Sequence, residues 1–254
     1  MAIDILTSLG TSIPHALRML NSGNIHFPRA ATDEHISAII SLSRGVKIVT
    51  LSSAHATDAT IKAIAVHTSD GLEKLALQGL PNITDEALAS IAEHCGNLTH
   101  ISIGSCPRLS NDAIFSMADS DAPLKCIHIT GCDGINDDAI VALTESKPCM
   151  TQVVLSTQGL RGSAIHNFTD LTVNSIADNC LCVEMVVVDF PCKLPETLPR
   201  LVERCRYLTS IHTQVRAESF RFMSLIKQRK IPEALPKGWW IDDGLAPRCK
   251  GHMN

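Results

Sequence analysis

Leu72-Glu-Lys-Leu75-Ala-Leu77, Leu98-Thr-His-Ile101-Ser-Ile103 and Leu124-Lys-Cys-Ile127-His-Ile129 share one pattern at a spacing of 26 residues. The second half of each unit recurs as well. Ile83-Thr-Asp-Glu-Ala-Leu88-Ala-Ser-Ile91, Leu109-Ser-Asn-Asp-Ala-Ile114 and Ile135-Asn-Asp-Asp-Ala-Ile140-Val-Ala-Leu143 follow one another at the same interval. Working outward, Thr32-Asp-Glu-His-Ile36 matches the segment from Thr84 two periods upstream, which puts a first unit near Leu20. Val46, Met150, Val183 and Leu208 open further units, so about eight repeats fill most of the chain.

Each unit reads as one strand and one helix. The Leu-x-x-Leu-x-Leu half alternates with period two, and the half after Thr/Asn-Asp spaces its apolar residues three and four apart. Thr32, Thr57, Thr84, Asn111, Asn136 and Thr169 stand at the expected helix starts, each followed by Asp. The Thr or Asn is expected to cap free amides, and the Asp to complement the positive end of the helix dipole. A lone strand-helix pair cannot bury its apolar face, so the units must stack. The expected fold is α/β: a horseshoe solenoid with a concave parallel β-sheet and convex α-helices. Residues 1–19 are expected to cap it, 20–215 to form it, and 216–254 to supply a basic helix and a capping tail in which Trp239 or Trp240 covers the last repeat.

Composition agrees. Hydrophobic residues make up 45% of the 254, yet aromatics only 4%, as suits many small, similar core layers. The net charge of −4 is unevenly spread: Arg200, Arg204, Arg206, Arg216, Arg221, Lys227, Arg229 and Lys230 cluster against few acids. Such a run is read as a solvated helix face. Ten cysteines accompany a start, Met1-Ala-Ile-Asp-Ile-Leu, without a basic region or a long apolar run. The thiols are therefore expected to be reduced and the protein to be intracellular, in cytoplasm or nucleus, with no membrane span.

Cys95-Gly-Asn-Leu98-Thr-His-Ile101-Ser-Ile103-Gly-Ser-Cys106-Pro-Arg-Leu109-Ser-Asn-Asp resembles the cysteine-containing leucine-rich repeat of F-box/leucine-rich-repeat ubiquitin-ligase receptors and their F-box-less relatives. Cys180 and Cys205 repeat the helix-end cysteine, Cys132 repeats the post-strand one, and the likeness covers roughly residues 20–215. The resemblance implies a ribonuclease-inhibitor-like solenoid and a protein-protein interaction scaffold or adaptor. It also implies, for many members, substrate recognition in ubiquitin-dependent degradation, with ubiquitin-ligase components among the partners. Only about 19 residues precede Leu20, so the expectation is a relative lacking an F-box, and Leu194-Pro-Glu-Thr-Leu198 is assigned to a repeat helix. The alternative reading is a structural subunit of a larger multiprotein assembly.

Between the apolar strand positions, side chains point to the concave surface. One column of that face reads Asn24, Thr50, Ala76, Ser102, His128, Val154, Val187 and His212; beside it run Ser22, Ile48, Lys74, His100, Cys126, Gln152, Met185 and Ser210. Lys74, His100, Ser102, Cys126, His128, Gln152, Val154, Met185 and His212 are the candidate partner contacts. The face carries little charge, so a polypeptide fits it better than a nucleic acid, which would require repeated Lys and Arg. The period breaks once, between Leu155 and Phe168, where about seven extra residues form a Gly-rich insertion. Its Leu160, Arg161 and His166 are candidate contacts beside a partner.

His100 and Cys126, with His128 near them, make a zinc site conceivable, but no ligand-pair spacing supports one and chance proximity is the favoured reading. No nucleophile elbow, phosphate loop or dinucleotide fingerprint is present. Asp85-Glu86, Asp112 and Asp137-Asp138 recur because helix starts recur. No catalysis, metal or other cofactor is expected.

Overall fold

The computed structural model describes residues 2–8, 10, 13–27, 29–156, 167–189 and 197–213. Within them the chain alternates strand and helix. Two helices, α1 (Ala2–Ser8) and α2 (Ile13–Ser22), lead into β1 (Asn24–Phe27), α3 (Asp33–Leu42), β2 (Ile48–Leu51), α4 (Asp58–Thr68), β3 (Lys74–Gln78) and α5 (Asp85–His94). There follow β4 (His100–Gly104), α6 (Asn111–Asp119), β5 (Cys126–Thr130), α7 (Asp137–Ser146), β6 (Gln152–Ser156), α8 (Asp170–Asn179), β7 (Met185–Asp189), α9 (Thr197–Arg204) and β8 (Ser210–Thr213).

All eight strands pair in parallel and in chain order in one sheet. Parallel strands sit about 5 Å apart, whereas packed helices need about 8–10 Å. Stacking units with unequal sides bends the array, with the sheet inside and the helices outside. The fold is the expected α/β leucine-rich-repeat solenoid.

Between the two layers runs one continuous core. In the repeat that starts at Leu98, the residues Leu98, Ile101, Ile103, Cys106, Leu109 and Ile114 are all at most 1% exposed. Their equivalents in the neighbouring repeats stack on them. The N-terminal edge of this core is covered by α1 and α2, whose Ile3, Ile5, Met19 and Leu20 pack against it. Arg200 and Arg204, part of the basic run, tie α9 to α8 through Asp178, with Nη2–Oδ1 at 2.6 Å for Arg200.

Buried thiols fill small spaces and find backbone acceptors. Cys95 lies within reach of the Ala65 carbonyl at 3.9 Å, and Cys205 of the Cys180 carbonyl at 3.6 Å, each one repeat back. Cys106 and Cys132 turn onto the carbonyls of Gly104 and Thr130 at the ends of their own strands. A thiol is a small, weakly polar core residue with one weak proton to give.

Thr32, Asn136 and Thr169 accept from amides of their own helices as expected, but other helix starts depart from the expectation. Thr57 and Thr84 make no side-chain hydrogen bond to their own helices. Their hydroxyls and amides donate instead to the aspartate opening the preceding helix. Thr57 donates to Asp33 (amide 3.1 Å, hydroxyl 2.6 Å) and Thr84 to Asp58 (2.7 and 2.7 Å). Ser110 donates in the same way to Asp85 (2.8 and 2.7 Å). After the seven-residue insertion the pattern resumes, with Thr169 donating to Asp137 (2.8 and 2.6 Å). The aspartates thus bind the next repeat as well as facing their own helix dipole.

Asp33 shows the electrostatic consequence. Burial pushes its carboxyl up, but hydrogen bonds from the Thr57 and Thr60 hydroxyls and the Thr57 amide outweigh it and hold the group below the ordinary carboxylate value.

One rung differs chemically. Ser110, not Asn111, is the cap of α6, so Asn111 stands where the other repeats have aspartate. Its Oδ1 accepts from the Asn136 amide at 2.9 Å, and its Nδ2 donates to Asn136 Oδ1 at 2.9 Å. Asn136 Oδ1 in turn accepts from the Asp138 amide at 2.9 Å, capping α7. A cap without a hydroxyl requires a partner with its own proton, and Asn111 supplies it. Asn111→Asp should therefore destabilise the fold by about 1–2 kcal/mol, by facing a carboxylate oxygen with Asn136 Oδ1. Adding Asn136→Thr, which rebuilds the Asp–Thr pair, should recover most of the loss in urea unfolding; additive losses would contradict the pairing.

Candidate functional site

The sheet's inward face is built by alternation: in each strand one set of side chains enters the core, and the residues between them face away. Strand pairing fixes the columns. His100 lies opposite Lys74 and Cys126, and Ser102 lies opposite Ala76 and His128. Gln152 and Val154 pair with Cys126 and His128 on one side and with Met185 and Val187 on the other. Among the described residues, Ser210 and His212 come last in the two columns.

The first repeat is shifted from its expected register. Asn24 pairs with Ile48, and His26 with Thr50, so His26 takes the place given to Asn24 and Asn24 that given to Ser22. The first strand-to-strand interval is 24 residues instead of 26, and Leu20 belongs to α2. Gly23 makes the short connection possible. It holds a φ of 68°, and a β-carbon there would collide with the Gly45 carbonyl oxygen.

A third column was not anticipated, because β3 to β7 each run one residue further than the repeat motif. It contains Gln78, Gly104, Thr130, Ser156 and Asp189. The Gln78 side chain occupies the space that a β-carbon on Gly104 would need. Continued alternation one residue past the last apolar strand position was the available signal.

Along the face, exposure changes. Asn24 and His26 are open to solvent, Lys74, His100, Ser102 and Gln152 are half-buried, and Cys126, His128, Met185 and Val187 are buried at 4–7% exposure. Val154 is half-buried beside the last two.

Neutral polar contacts connect the columns. The Thr99 hydroxyl donates to the Glu73 carbonyl at 2.9 Å, so at the 2.7 Å contact with His100 Nδ1 the ring nitrogen is the donor. His128 contacts Thr130 Oγ1 through Nε2 at 2.8 Å and Ser102 Oγ through Nδ1 at 3.4 Å. Cys126 donates to Gln152 Oε1 at 3.5 Å.

His100 and Cys126 are register partners, yet among the described residues no group of three metal-ligating side chains converges. Leu160, Arg161 and His166 lie outside the described residues, as do the basic stretch after Thr213 and both tryptophans.

Burial sets the protonation states of this face and its surroundings. It raises the thiols of Cys95 and Cys106 to about 11 and those of Cys132 and Cys180 to about 12, leaving them protonated near neutrality. It lowers His128 from its ordinary 6.5 to about 4. That imidazole is neutral and uses one nitrogen as donor and the other as acceptor.

No protein-family model matches the sequence, and no curated protein matches it. Among solved structures, a chain in the crystal structure of the Rad7 and Elc1 complex in yeast is similar, with 13% identity and a TM-score of 0.48. The match covers 76% of this chain and 64% of that one, so this chain spans less than two thirds of its length.

His128 gives the face a measurable pH signature. Its folded pKa lies below its unfolded one, so between about 6.5 and about 4 the unfolded chain binds a proton that the folded chain refuses. Stability should fall as pH drops through this window, by on the order of 3 kcal/mol in total, and be unaffected by this group above it. Urea midpoints from pH 7.5 to 4.5 should decline less steeply for His128→Gln than for the parent chain. Equal slopes would refute the assignment.

Proposed function

We propose that this chain is an adaptor that holds a segment of a protein partner against its concave sheet. The observation that carries the reading is the chemistry of the two long columns. Across eight strands Lys74 is their only fixed charge, and the rest are neutral donors and acceptors grading into the apolar Val154, Met185 and Val187. A nucleic-acid backbone calls for repeated cations. A polypeptide calls for apolar anchors flanked by neutral hydrogen-bonding groups, which these columns offer.

The repeat pattern, with cysteines at helix ends and after strands, supports the cysteine-containing subtype of the solenoid. On that resemblance we further propose substrate recognition in ubiquitin-dependent degradation, in the reducing cytoplasm or nucleus that free, buried thiols favour. The insertion carrying Leu160, Arg161 and His166 is proposed to contribute to the same contact.

Affinity capture with the full chain, followed by mass spectrometry, tests both levels. Val154→Asp and Met185→Glu should each weaken a specifically captured partner roughly thirtyfold, the loss of about 2 kcal/mol expected of a central anchor. Melting temperatures should show that the variants remain folded. Undiminished capture by folded variants would move the binding site off this face. Recovery of ubiquitin-ligase core subunits with the partner supports the degradation role, and capture of the partner without them argues against it.

A further inference from the structure

Cys149 and Cys182 are exposed, whereas the other six free cysteines among the described residues are buried. The two occupy the same place in consecutive repeats. Gln152 and Met185 are register partners, and each cysteine lies three residues before one of them. Next along the chain, Met150 and Val183 both enter the core with 0% exposure. The Thr151 carbonyl then accepts from the amides of Glu184 at 2.8 Å and Met185 at 3.1 Å.

The two backbones therefore run side by side to within two residues of the sulfur-bearing positions. Neighbouring strands are about 5 Å apart, inside the roughly 4.4–6.8 Å Cα separation that a disulfide spans. Burial first, and then the charges of Cys205, Cys182 and Cys149, push the Cys180 thiol up to about 12. At the equivalent position other repeats carry Gly71, Asn97, Pro123 and Tyr207. The cysteine pair brackets the one interval that contains the seven-residue insertion.

We propose that Cys149 and Cys182 form an oxidisable dithiol that closes into a disulfide between these two repeats when it meets a low-molecular-weight disulfide such as oxidised glutathione. One cysteine, as thiolate, attacks a sulfur of the oxidant. A mixed disulfide forms, and one glutathione leaves with the proton that the cysteine lost. The second cysteine, also deprotonated, attacks the protein-bound sulfur, forming the Cys149–Cys182 bond and releasing the second glutathione. Two electrons pass from the two protein thiols to the oxidant, giving one protein disulfide and two reduced glutathiones. The product closes a covalent loop around the insertion and α8, beside the apolar end of the concave face.

The test is a titration of the full chain with oxidised glutathione, followed by non-reducing peptide mapping and thermal melting. A Cys149–Cys182 linked peptide should appear while the six buried cysteines stay unmodified, and the melting temperature should rise. In Cys149→Ser the linked peptide and the rise should both be lost, with glutathione retained on Cys182. Phenylarsine oxide, which bridges paired thiols, should bind the reduced parent chain one to one and lose that binding in Cys149→Ser. Separate glutathione adducts on Cys149 and Cys182 in the parent chain would overturn the proposal. So would linkage of either to Cys192 or Cys249, which lie outside the described residues.

Discussion

At each junction from α3 to α8 at which a helix begins, the cap residue donates its amide, and usually its hydroxyl, to a side chain on the first turn of the helix before it. Asp33, Asp58, Asp85, Asn111 and Asp137 receive these bonds in succession. Strand hydrogen bonds set the spacing on one side of the solenoid, but nothing in a helix backbone sets it on the other. A polar pair at a fixed place in every repeat supplies the missing constraint. Leaving such an amide or hydroxyl unpaired in a half-buried junction costs about 1–3 kcal/mol, so each rung also specifies which helix may sit beside which.

The ladder accounts for the fold's tolerance of the seven-residue insertion. About seven extra residues separate Leu155 from Phe168, yet Thr169 donates to Asp137 the same two bonds that Ser110 donates to Asp85. Core apolar residues alone would permit sliding, since Leu, Ile and Val are nearly interchangeable across layers. Directional bonds from a short carboxylate do not. The strand register therefore continues across the insertion, with Gln152 opposite Met185.

Much of this architecture was legible because one period governs it. Spacing of 26 located β2 to β6, the insertion's length and the inward-facing columns, and His100 and Cys126 do stand side by side as their register required. What escaped is local. The first repeat has Ser22 where others have an apolar residue, so Leu20 imitated a repeat start while belonging to α2. Asn111 imitated a cap because Asp follows it, although the interval from Thr84 points to Ser110. The partner of each opening aspartate lies a full repeat away, and periodicity of composition does not reveal who donates to whom. Nor does it reveal that Met185 and Val187, on the face opposite the core, are buried to 4–7% exposure.

Of the perturbed groups only His128 lies on the concave face; the four shifted thiols belong to the core behind it. Burial moves the four shifted thiols upward and His128 downward, in each case toward the uncharged form. At neutral pH these are weak nucleophiles and a weak base, suited to donating and accepting hydrogen bonds without a change of charge. Fixed charge on the two columns is confined to Lys74, toward the N-terminal strands, while apolar side chains gather at β6 and β7, where Met185 and Val187 are buried and Asp189 stands in the adjoining third column. A bound segment would find one end of the curve offering a cation and the other offering desolvated apolar contacts. On the proposed adaptor reading, that asymmetry would give an extended partner a direction along the sheet, a selectivity that would arise from the order of the repeats.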